Sequence, residues 1–187
     1  GLDSEADING LIEKADVIAI GPGLGTDEWS RTLLDTVLTC ELPLAADADA
    51  LNLLAHAGVS RKNWVLTPHP GEAGRLLAKP TAAIQDDRLG SLQTIVDRYQ
   101  GVVVLKGAGT LVSSAAGAPW ICSAGNPGMA APGMGDALTG IVAALCAQGL
   151  SLEMAAIVGV QIHAEAGDAA AAQGERGLLV TDLLAAL

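Results

Sequence analysis

The chain has 187 residues, half of them hydrophobic, so it is long enough to bury the core of a globular domain and too apolar to be disordered. Its net charge is −11 with no basic cluster, which argues against nucleic-acid binding. Cys40, Cys122 and Cys146 are widely spaced and match neither a disulfide framework nor a zinc site. We expect one cytoplasmic domain over residues 1–187, without a membrane span or signal peptide.

Short apolar runs recur through the first half of the chain, and each ends in a polar or glycine-rich loop. The runs cover residues 15–20, 42–46, 64–67 and 102–105. Their unbroken apolar sequence is typical of strands that are buried on both faces of a parallel sheet. Because helical patterns separate them, we predict an α/β fold whose mostly parallel sheet carries helices on both faces. Ligands of such folds bind beyond the carboxyl ends of the strands.

Capping residues and the spacing of apolar residues predict where the helices between these strands lie. Thr26 is the expected cap of the first helix, and Trp29 is expected on its buried face. A single long amphipathic helix is predicted from Ile84 to Tyr99. Residues 1–14 are expected to form only a polar, acid-rich lead-in.

The pattern changes after residue 110. Two short segments, 111–113 and 120–122, predict an antiparallel hairpin. From Asp136 onward the spacing of apolar residues is helical, and it ends in a short helix at 181–184. His163 in this part, like His56 earlier, is expected to be an ordinary core or surface residue.

A glycine-rich loop at residues 125–140 runs directly into an apolar stretch. The first N–H groups of a helix lack partners, and glycines let an anion approach them. Asp136 would lie among these donors, where the helix dipole keeps a carboxylate ionised and able to accept a proton. The alternative is that Asp136 is only a helix-start acid and the glycines only a flexible turn. The length of the loop and its companion motifs favour an anion site with a base.

A second glycine-containing segment, Lys106 to Thr110, follows the predicted strand at 102–105. In one interpretation, Gly107 and Gly109 admit a phosphate or ribose to the backbone, and Thr110 donates a hydrogen bond to it. In the other, the pentapeptide is a tight turn between two strands. The segment alone does not separate the two interpretations.

The loop after the predicted strand at 64–67 places His69 between two prolines, which stiffen its backbone. A rigid histidine at a strand end favours ligand contact. Glu72 either holds a hydrated magnesium ion or begins the next helix as a first-turn acid. Asp47 and Asp49 would point the same way on an extended chain, an arrangement that a metal or water site could use, but Asp47 equally fits a helix cap.

Five motifs in this order closely resemble the NAD(P)H-hydrate dehydratase family, a carbohydrate-kinase-like group with the ribokinase-like fold. They are Gly-Pro-Gly-Leu-Gly at 21–25, Asp-Ala-Asp-Ala-Leu-Asn at 47–52, Thr-Pro-His-Pro-Gly-Glu at 67–72, Leu-Lys-Gly-Ala-Gly-Thr at 105–110 and the loop at 125–140. The similarity runs from about Asp16 to the C-terminus. It implies an enzyme of nicotinamide nucleotide repair, which uses ADP or ATP to dehydrate the S form of hydrated NADH or NADPH.

The resemblance also implies roles for single residues. The adenine nucleotide would contact Lys106, Gly107, Ala108, Gly109, Thr110 and Gly135. The hydrate would contact Gly23, His69 and Asp136, and Asp136 would take the proton from the ring C6 hydroxyl during phosphoryl transfer. Glu72 matches the magnesium-associated acid of the wider fold, so Mg²⁺ is the expected metal.

Two departures from the family pattern change what we expect. Pro132 stands where small or glycine residues are more usual, so the loop lacks one N–H. The family's domain also normally begins well before Gly1, which predicts a partial domain, an exposed sheet edge and homo-oligomer formation. A fused or separate NAD(P)H-hydrate epimerase domain is the expected partner. The alternatives are a sugar or vitamin kinase of the same fold and a non-catalytic nucleotide-binding fragment.

Overall fold

The computed structural model describes residues 5–187, in which six strands form one sheet whose spatial order is their order in the sequence. The strands are β1 Ile18–Ile20, β2 Leu44–Ala46, β3 Trp64–Leu66, β4 Val102–Leu105, β5 Thr110–Ser114 and β6 Trp120–Cys122. Strands β1 to β4 are parallel, and β5 and β6 are each antiparallel to the strand before. The predicted mostly parallel sheet and the hairpin are confirmed, although the parallel strands are mostly shorter than the apolar runs.

Helices cover both faces of the sheet, as predicted. Those in the described residues are α1 Glu5–Ile12, α2 Glu28–Leu38, α3 Ala48–Ala57, α4 Pro70–Leu77, α5 Thr81–Asp86, α6 Arg88–Tyr99, α7 Met134–Ala147, α8 Leu152–Ala170 and α9 Val180–Ala185, with short 3-10 turns at Pro127–Met129 and Ala171–Gln173. None of these helices is long and apolar enough to cross a membrane.

Two apolar cores follow from the alternation of side chains along β3 and β4. Leu66 and Val103 belong to the core that packs against α2 to α6. Val65 and Val104 belong to the other core, which packs against α7 and α8. Because successive strand residues point to opposite faces, an unbroken apolar strand fills both layers. The sheet therefore lies between two packed layers of helices, and the carboxyl ends of its parallel strands form one edge of this sandwich.

The predicted helix over residues 84–99 is wrong, because the chain breaks into α5 and α6 at Asp87. The backbone of Asp87 is not helical, with φ −138° and ψ 76°. Its side chain instead accepts a hydrogen bond of 2.9 Å from the N–H of Gly90 and caps α6. Asp favours such a cap over a helix interior. The break makes Arg88 the first residue of α6.

Three expectations near the start of the chain also differ from the structure. Asp27, rather than Thr26, is the N-cap of α2 and accepts a 2.9 Å hydrogen bond from the Ser30 N–H. Trp29 is 46% exposed and so does not lie on the buried face. Residues 5–12 form α1, whose Ile8 is buried, where only a polar lead-in was expected. Predicted features of residues 1–4 lie outside the described residues.

Candidate functional site

A cleft of about 840 Å³ opens at the carboxyl edge of the sheet, between the loops that follow β2, β3 and β4 and the first turn of α7. It brings together most of the residues singled out in the sequence. They are Asp47, His69, Glu72, Lys106, Gly107, Ala108, Gly109, Thr110, Gly135 and Asp136. Its lining also contains His163, which the sequence analysis placed among ordinary core or surface residues. The cleft therefore unites residues that are up to 117 positions apart in the chain, from Asp47 to Ala164.

Gly23 is the predicted site residue that lies outside this lining. It is exposed in the turn after β1, with φ +66°, and the N–H of Leu24 donates to the Gly21 carbonyl across that turn at 3.0 Å. The turn is tied to α3 because Asp49 accepts a 2.8 Å hydrogen bond from the Gly25 N–H. The loop after β1 thus stands beside the cleft.

The first turn of α7 presents both hydrogen-bond donors and an acid. Gly133 precedes the helix with φ +85° and provides no side-chain cap. In the part of the chain that the structure describes, the N–H groups of Gly135 and Asp136 have no backbone or side-chain acceptor. Asp136 is the third residue of α7, and its side chain is exposed in the cleft. The helix start can therefore bind an anion beside a carboxylate that can take up a proton.

An ion pair lies at the inner end of the cleft. Lys106, which follows β4, donates from Nζ to Oδ1 of Asp47, which follows β2, at 2.6 Å. Asp47 is almost fully buried, and its Oδ2 accepts a 2.9 Å hydrogen bond from Thr139 of α7. Asp47 is also the N-cap of α3, so the helix-cap interpretation is confirmed. Asp49 lies within α3, so the two acids do not share an extended segment.

The ion pair approaches the backbone of Gly135 closely. A Cβ atom added there would stand 3.0 Å from Nζ of Lys106 and 3.4 Å from Oδ2 of Asp47. The first distance is tight, so the end of the lysine side chain would have to shift by a few tenths of an ångström, whereas the second is an ordinary van der Waals contact. The first turn of α7 therefore packs its backbone directly against the ion pair.

His69 and Glu72 form a reciprocal cap at the start of α4. Nδ1 of His69 accepts hydrogen bonds from the N–H groups of Gly71 and Glu72, and Oε2 of Glu72 accepts a 2.7 Å bond from the His69 N–H. Because Nδ1 accepts, the neutral imidazole carries its proton on Nε2. The side chain of His69 is half exposed and lines the cleft.

Glu72 is the first-turn acid of α4, as one of the two interpretations predicted. Burial raises its pKa, and the ammonium of Lys106, 3.8 Å from Oε2, opposes that rise. Among the described residues no group of three His, Cys, Asp or Glu side chains could hold a metal ion. Magnesium is commonly held by one or two carboxylates together with substrate phosphates. Glu72 is a carboxylate of the cleft that fits this role.

The segment from Lys106 to Thr110 is a tight turn that joins the antiparallel strands β4 and β5. Thr110 stabilises it, because its Oγ1 donates to the Gly107 carbonyl at 3.0 Å and accepts from the Gly107 N–H at 3.3 Å. The strand-turn interpretation is thus confirmed, and the turn also faces the cleft. Arg88 contacts the turn from behind, a feature that the sequence analysis missed.

The glycine-rich loop before α7 is anchored by α8. Asp168 accepts hydrogen bonds of 2.9 Å from the Gly125 N–H and from the Asn126 side chain. His163 of the same helix contacts the carbonyl of Met134 through Nε2 at 2.9 Å. Burial lowers the pKa of His163, so the neutral ring donates this bond to the first residue of α7. Helix α8 therefore sets the position of the loop and of the helix start.

Comparison with known proteins gives consistent matches. The whole chain, residues 1–187, matches the carbohydrate kinase family model described as NAD(P)H-hydrate dehydratase. The bifunctional NAD(P)H-hydrate repair enzyme Nnr of Coxiella burnetii is 52% identical over 95% of this chain. The chain spans 36% of that relative, about a third of its length.

Two solved structures have the same fold. The ADP/ATP-dependent NAD(P)H-hydrate dehydratase of Bacillus subtilis, co-crystallised with ATP/Mg²⁺, matches with a TM-score of 0.81 and 30% identity, over 91% of this chain and 62% of that one. A ribokinase-like superfamily protein of Enterococcus faecalis matches with a TM-score of 0.86 and 32% identity, over 100% of this chain and 66% of that one. The predicted ribokinase-like fold is confirmed.

Proposed function

The chain belongs to the NAD(P)H-hydrate dehydratase family, and on that premise we propose that its cleft binds an adenine nucleotide and dehydrates (6S)-NAD(P)H hydrate. One observation carries the proposal: N–H groups at the start of α7 that have no acceptor among residues 5–187 lie beside the exposed carboxylate of Asp136, in the same cleft as the Lys106 turn. This arrangement would bring a phosphoryl donor, bound by the N–H groups, next to a proton acceptor. The named activity of the Bacillus subtilis protein supports the choice of ADP or ATP as co-substrate.

Asp136 is proposed as the general base. It takes the proton from the C6 hydroxyl of the hydrate while the hydroxyl oxygen attacks the terminal phosphoryl group of the nucleotide. The O–H bond breaks, a new P–O bond forms, and the bond to the leaving nucleotide oxygen breaks. ADP is thereby converted to AMP, or ATP to ADP.

The N–H groups of Gly135 and Asp136 stabilise the charge of the phosphoryl group during this transfer. The turn from Gly107 to Thr110 is proposed to contact the rest of the nucleotide through its backbone. Lys106 contributes a positive charge nearby, although the ion pair with Asp47 offsets much of that charge. Backbone donors, rather than net charge, therefore carry most of the phosphate binding in a protein with a net charge of −11.

The second half of the reaction releases phosphate. The lone pair of the ring nitrogen expels the phosphate from C6, and loss of a proton from C5 restores the C5=C6 double bond of NADH or NADPH. Phosphorylation matters because phosphate is a far better leaving group than hydroxide. The net change is the loss of water from the hydrate and the hydrolysis of one phosphoanhydride bond.

Magnesium is proposed to enter with the nucleotide phosphates, and Glu72 would hold it, directly or through water. The ion would neutralise charge on the transferring phosphoryl group. His69 and Gly23 are proposed to contact the hydrate. The rigid cap of α4 fixes the backbone of His69, and its half-exposed ring faces the cleft.

An assay of hydrated NADH with ADP, ATP or neither tests the proposal. We expect the absorbance of reduced nicotinamide to return only when a nucleotide and Mg²⁺ are present, and the better nucleotide identifies the co-substrate. A phosphorylated alcohol that accumulates without return of NADH would instead identify a small-molecule kinase. Nucleotide binding without any product would identify a non-catalytic fragment. Parallel assays with hydrated NADPH compare the two substrates.

A further inference from the structure

Arg88 reaches from the first turn of α6 to the back of the turn between β4 and β5. Its Nη2 donates to the carbonyl of Gly109 at 3.0 Å and to the carbonyl of Leu105 at 3.2 Å. Its Nη1 lies 3.5 Å from the carbonyl of Lys106. One guanidinium therefore contacts carbonyls on both sides of the turn, although Arg88 does not itself line the cleft.

These contacts engage carbonyls of the turn and leave two of its backbone N–H groups available to a ligand. Among residues 5–187, the N–H groups of Ala108 and Gly109 have no hydrogen-bond acceptor. A backbone whose carbonyls are bound on one side by a cation, and whose amides are free, is suited to bind an anion. Ala108 and Gly109 both line the cleft.

Gly107 fits this arrangement for two reasons. Its φ of +143° disfavours any residue with a side chain. A Cβ atom there would also stand 2.5 Å from Nη1 of Arg88, so the guanidinium would have to shift away from its present place. The glycine thus admits the guanidinium to the back of the turn.

The location of the arginine is unfavourable for its own helix. A cation at a helix N-terminus opposes the helix dipole, and Arg88 is the first residue of α6. Partial burial also lowers the pKa of the guanidinium. Apart from a 3.3 Å hydrogen bond from Nη1 to the side-chain oxygen of Gln85, the favourable contacts of Arg88 are those that it makes with the turn.

We infer that Arg88 is a positioning residue, which holds the Lys106–Thr110 turn in the form that binds the phosphates of the adenine nucleotide. The inference rests on the proposed nucleotide site and names a residue that acts on it from outside the cleft. Lysine cannot replace it fully, because a single ammonium lacks the planar fork that reaches several carbonyls at once.

The test compares Arg88→Gln and Arg88→Lys with Arg61→Gln as a matched control. Arg61 also donates to two backbone carbonyls, those of Cys40 and Leu42, but it does so before β2, at the opposite edge of the sheet. Titration calorimetry with ADP and with ATP gives the dissociation constant of each variant. Melting temperatures report the loss of fold stability separately.

We expect the Gln variant of Arg88 to raise the dissociation constant and the KM for nucleotide roughly tenfold, because a charged hydrogen-bond donor to the turn is lost. The Lys variant should raise both by a smaller factor. The value of kcat at saturating nucleotide should stay within about threefold of wild type in both variants. The Arg61 variant should lose stability while it keeps wild-type nucleotide affinity.

Equal nucleotide affinity of wild type and the Arg88→Gln variant, including no measurable binding by either, would overturn the inference. An equal loss of affinity in the Arg61→Gln variant would also overturn it, because general loosening would then explain the effect. A different result would refute the proposed function, namely that wild type binds nucleotide but does not restore NADH from its hydrate. That result leaves the effect of Arg88 on nucleotide affinity measurable.

Discussion

Lys106 and Asp47 form an ion pair of 2.6 Å across the carboxyl ends of β4 and β2. Side-chain exposure is 16% for Lys106 and 1% for Asp47. The buried carboxylate is satisfied on every side, by Lys106, by the Ala48 N–H at 2.8 Å and by Thr139 at 2.9 Å. The pair therefore joins two strand ends to the first turn of α3 and, through Thr139, to the second turn of α7.

The first prediction concerns this pair. Asp47→Asn removes the nearer of the two carboxylates beside the largely buried Lys106 and leaves only Glu72, 3.8 Å away, which should lower the free energy of unfolding by about 3 kcal/mol. The freed ammonium should also shift and alter nucleotide affinity. Urea unfolding followed by circular dichroism measures the first effect.

The control for this variant is Asp35→Asn, which changes an exposed acid on α2. It should alter the free energy of unfolding by no more than about 0.5 kcal/mol. If Asp47→Asn is as stable as Asp35→Asn, the ion pair is not an important part of the structure.

A second prediction uses the two glycines of α7. Gly135→Ala places a methyl group 3.0 Å from Nζ of Lys106, so the lysine must move and the KM for nucleotide should rise roughly tenfold. Gly140→Ala meets nothing within 4 Å in the same helix. That control should stabilise the protein by about 0.5 to 1 kcal/mol and leave KM unchanged. Equal KM values for both variants would contradict the close packing at position 135.

A third prediction concerns pH. Burial lowers the pKa of His163 below its ordinary 6.5, and the nearby Lys106 acts in the same direction. The unfolded chain therefore takes up the proton first, so stability is lost as the pH falls below about 6.5, by at most about 1.4 kcal/mol per pH unit. His163→Gln keeps an amide that can donate to the Met134 carbonyl, but it does not titrate.

Thermal unfolding of wild type and the His163→Gln variant at pH 8 and pH 5.5 checks this expectation. The stability of wild type relative to the variant should decrease at the lower pH. His56→Gln provides the comparison, because His56 is exposed on α3. A pH-independent difference between wild type and the His163 variant would show that burial does not hold this ring neutral.

The sheet could be predicted from the sequence because its strands are continuous apolar runs that end in polar loops. The approximate start of α7 could also be predicted, since a glycine-rich loop precedes a long apolar stretch. The helix was expected from Asp136 onward, and it begins two residues earlier, at Met134. Both signals are local in the sequence. They also indicated which loops would meet at one edge.

Other features depend on contacts between distant residues and carry no local signal. The hydrogen bond from Thr139 to Asp47 joins residues 92 positions apart. Arg88 follows two acids and looks like an ordinary helix residue until the fold brings the β4–β5 turn beside it. The helix break at Asp87 was missed because Ile84, Leu92 and Tyr99 continue the apolar spacing on either side of it.

The central claim is tested most directly by turnover of hydrated NADH by the Asp136→Asn variant, with nucleotide affinity measured on the same sample. The change removes the proton acceptor and keeps the size of the side chain. Turnover should fall by roughly 10² to 10⁴-fold, while the nucleotide dissociation constant stays within about threefold of wild type, as the helix amides are unchanged. Turnover close to that of wild type would contradict the assignment of Asp136 as the base.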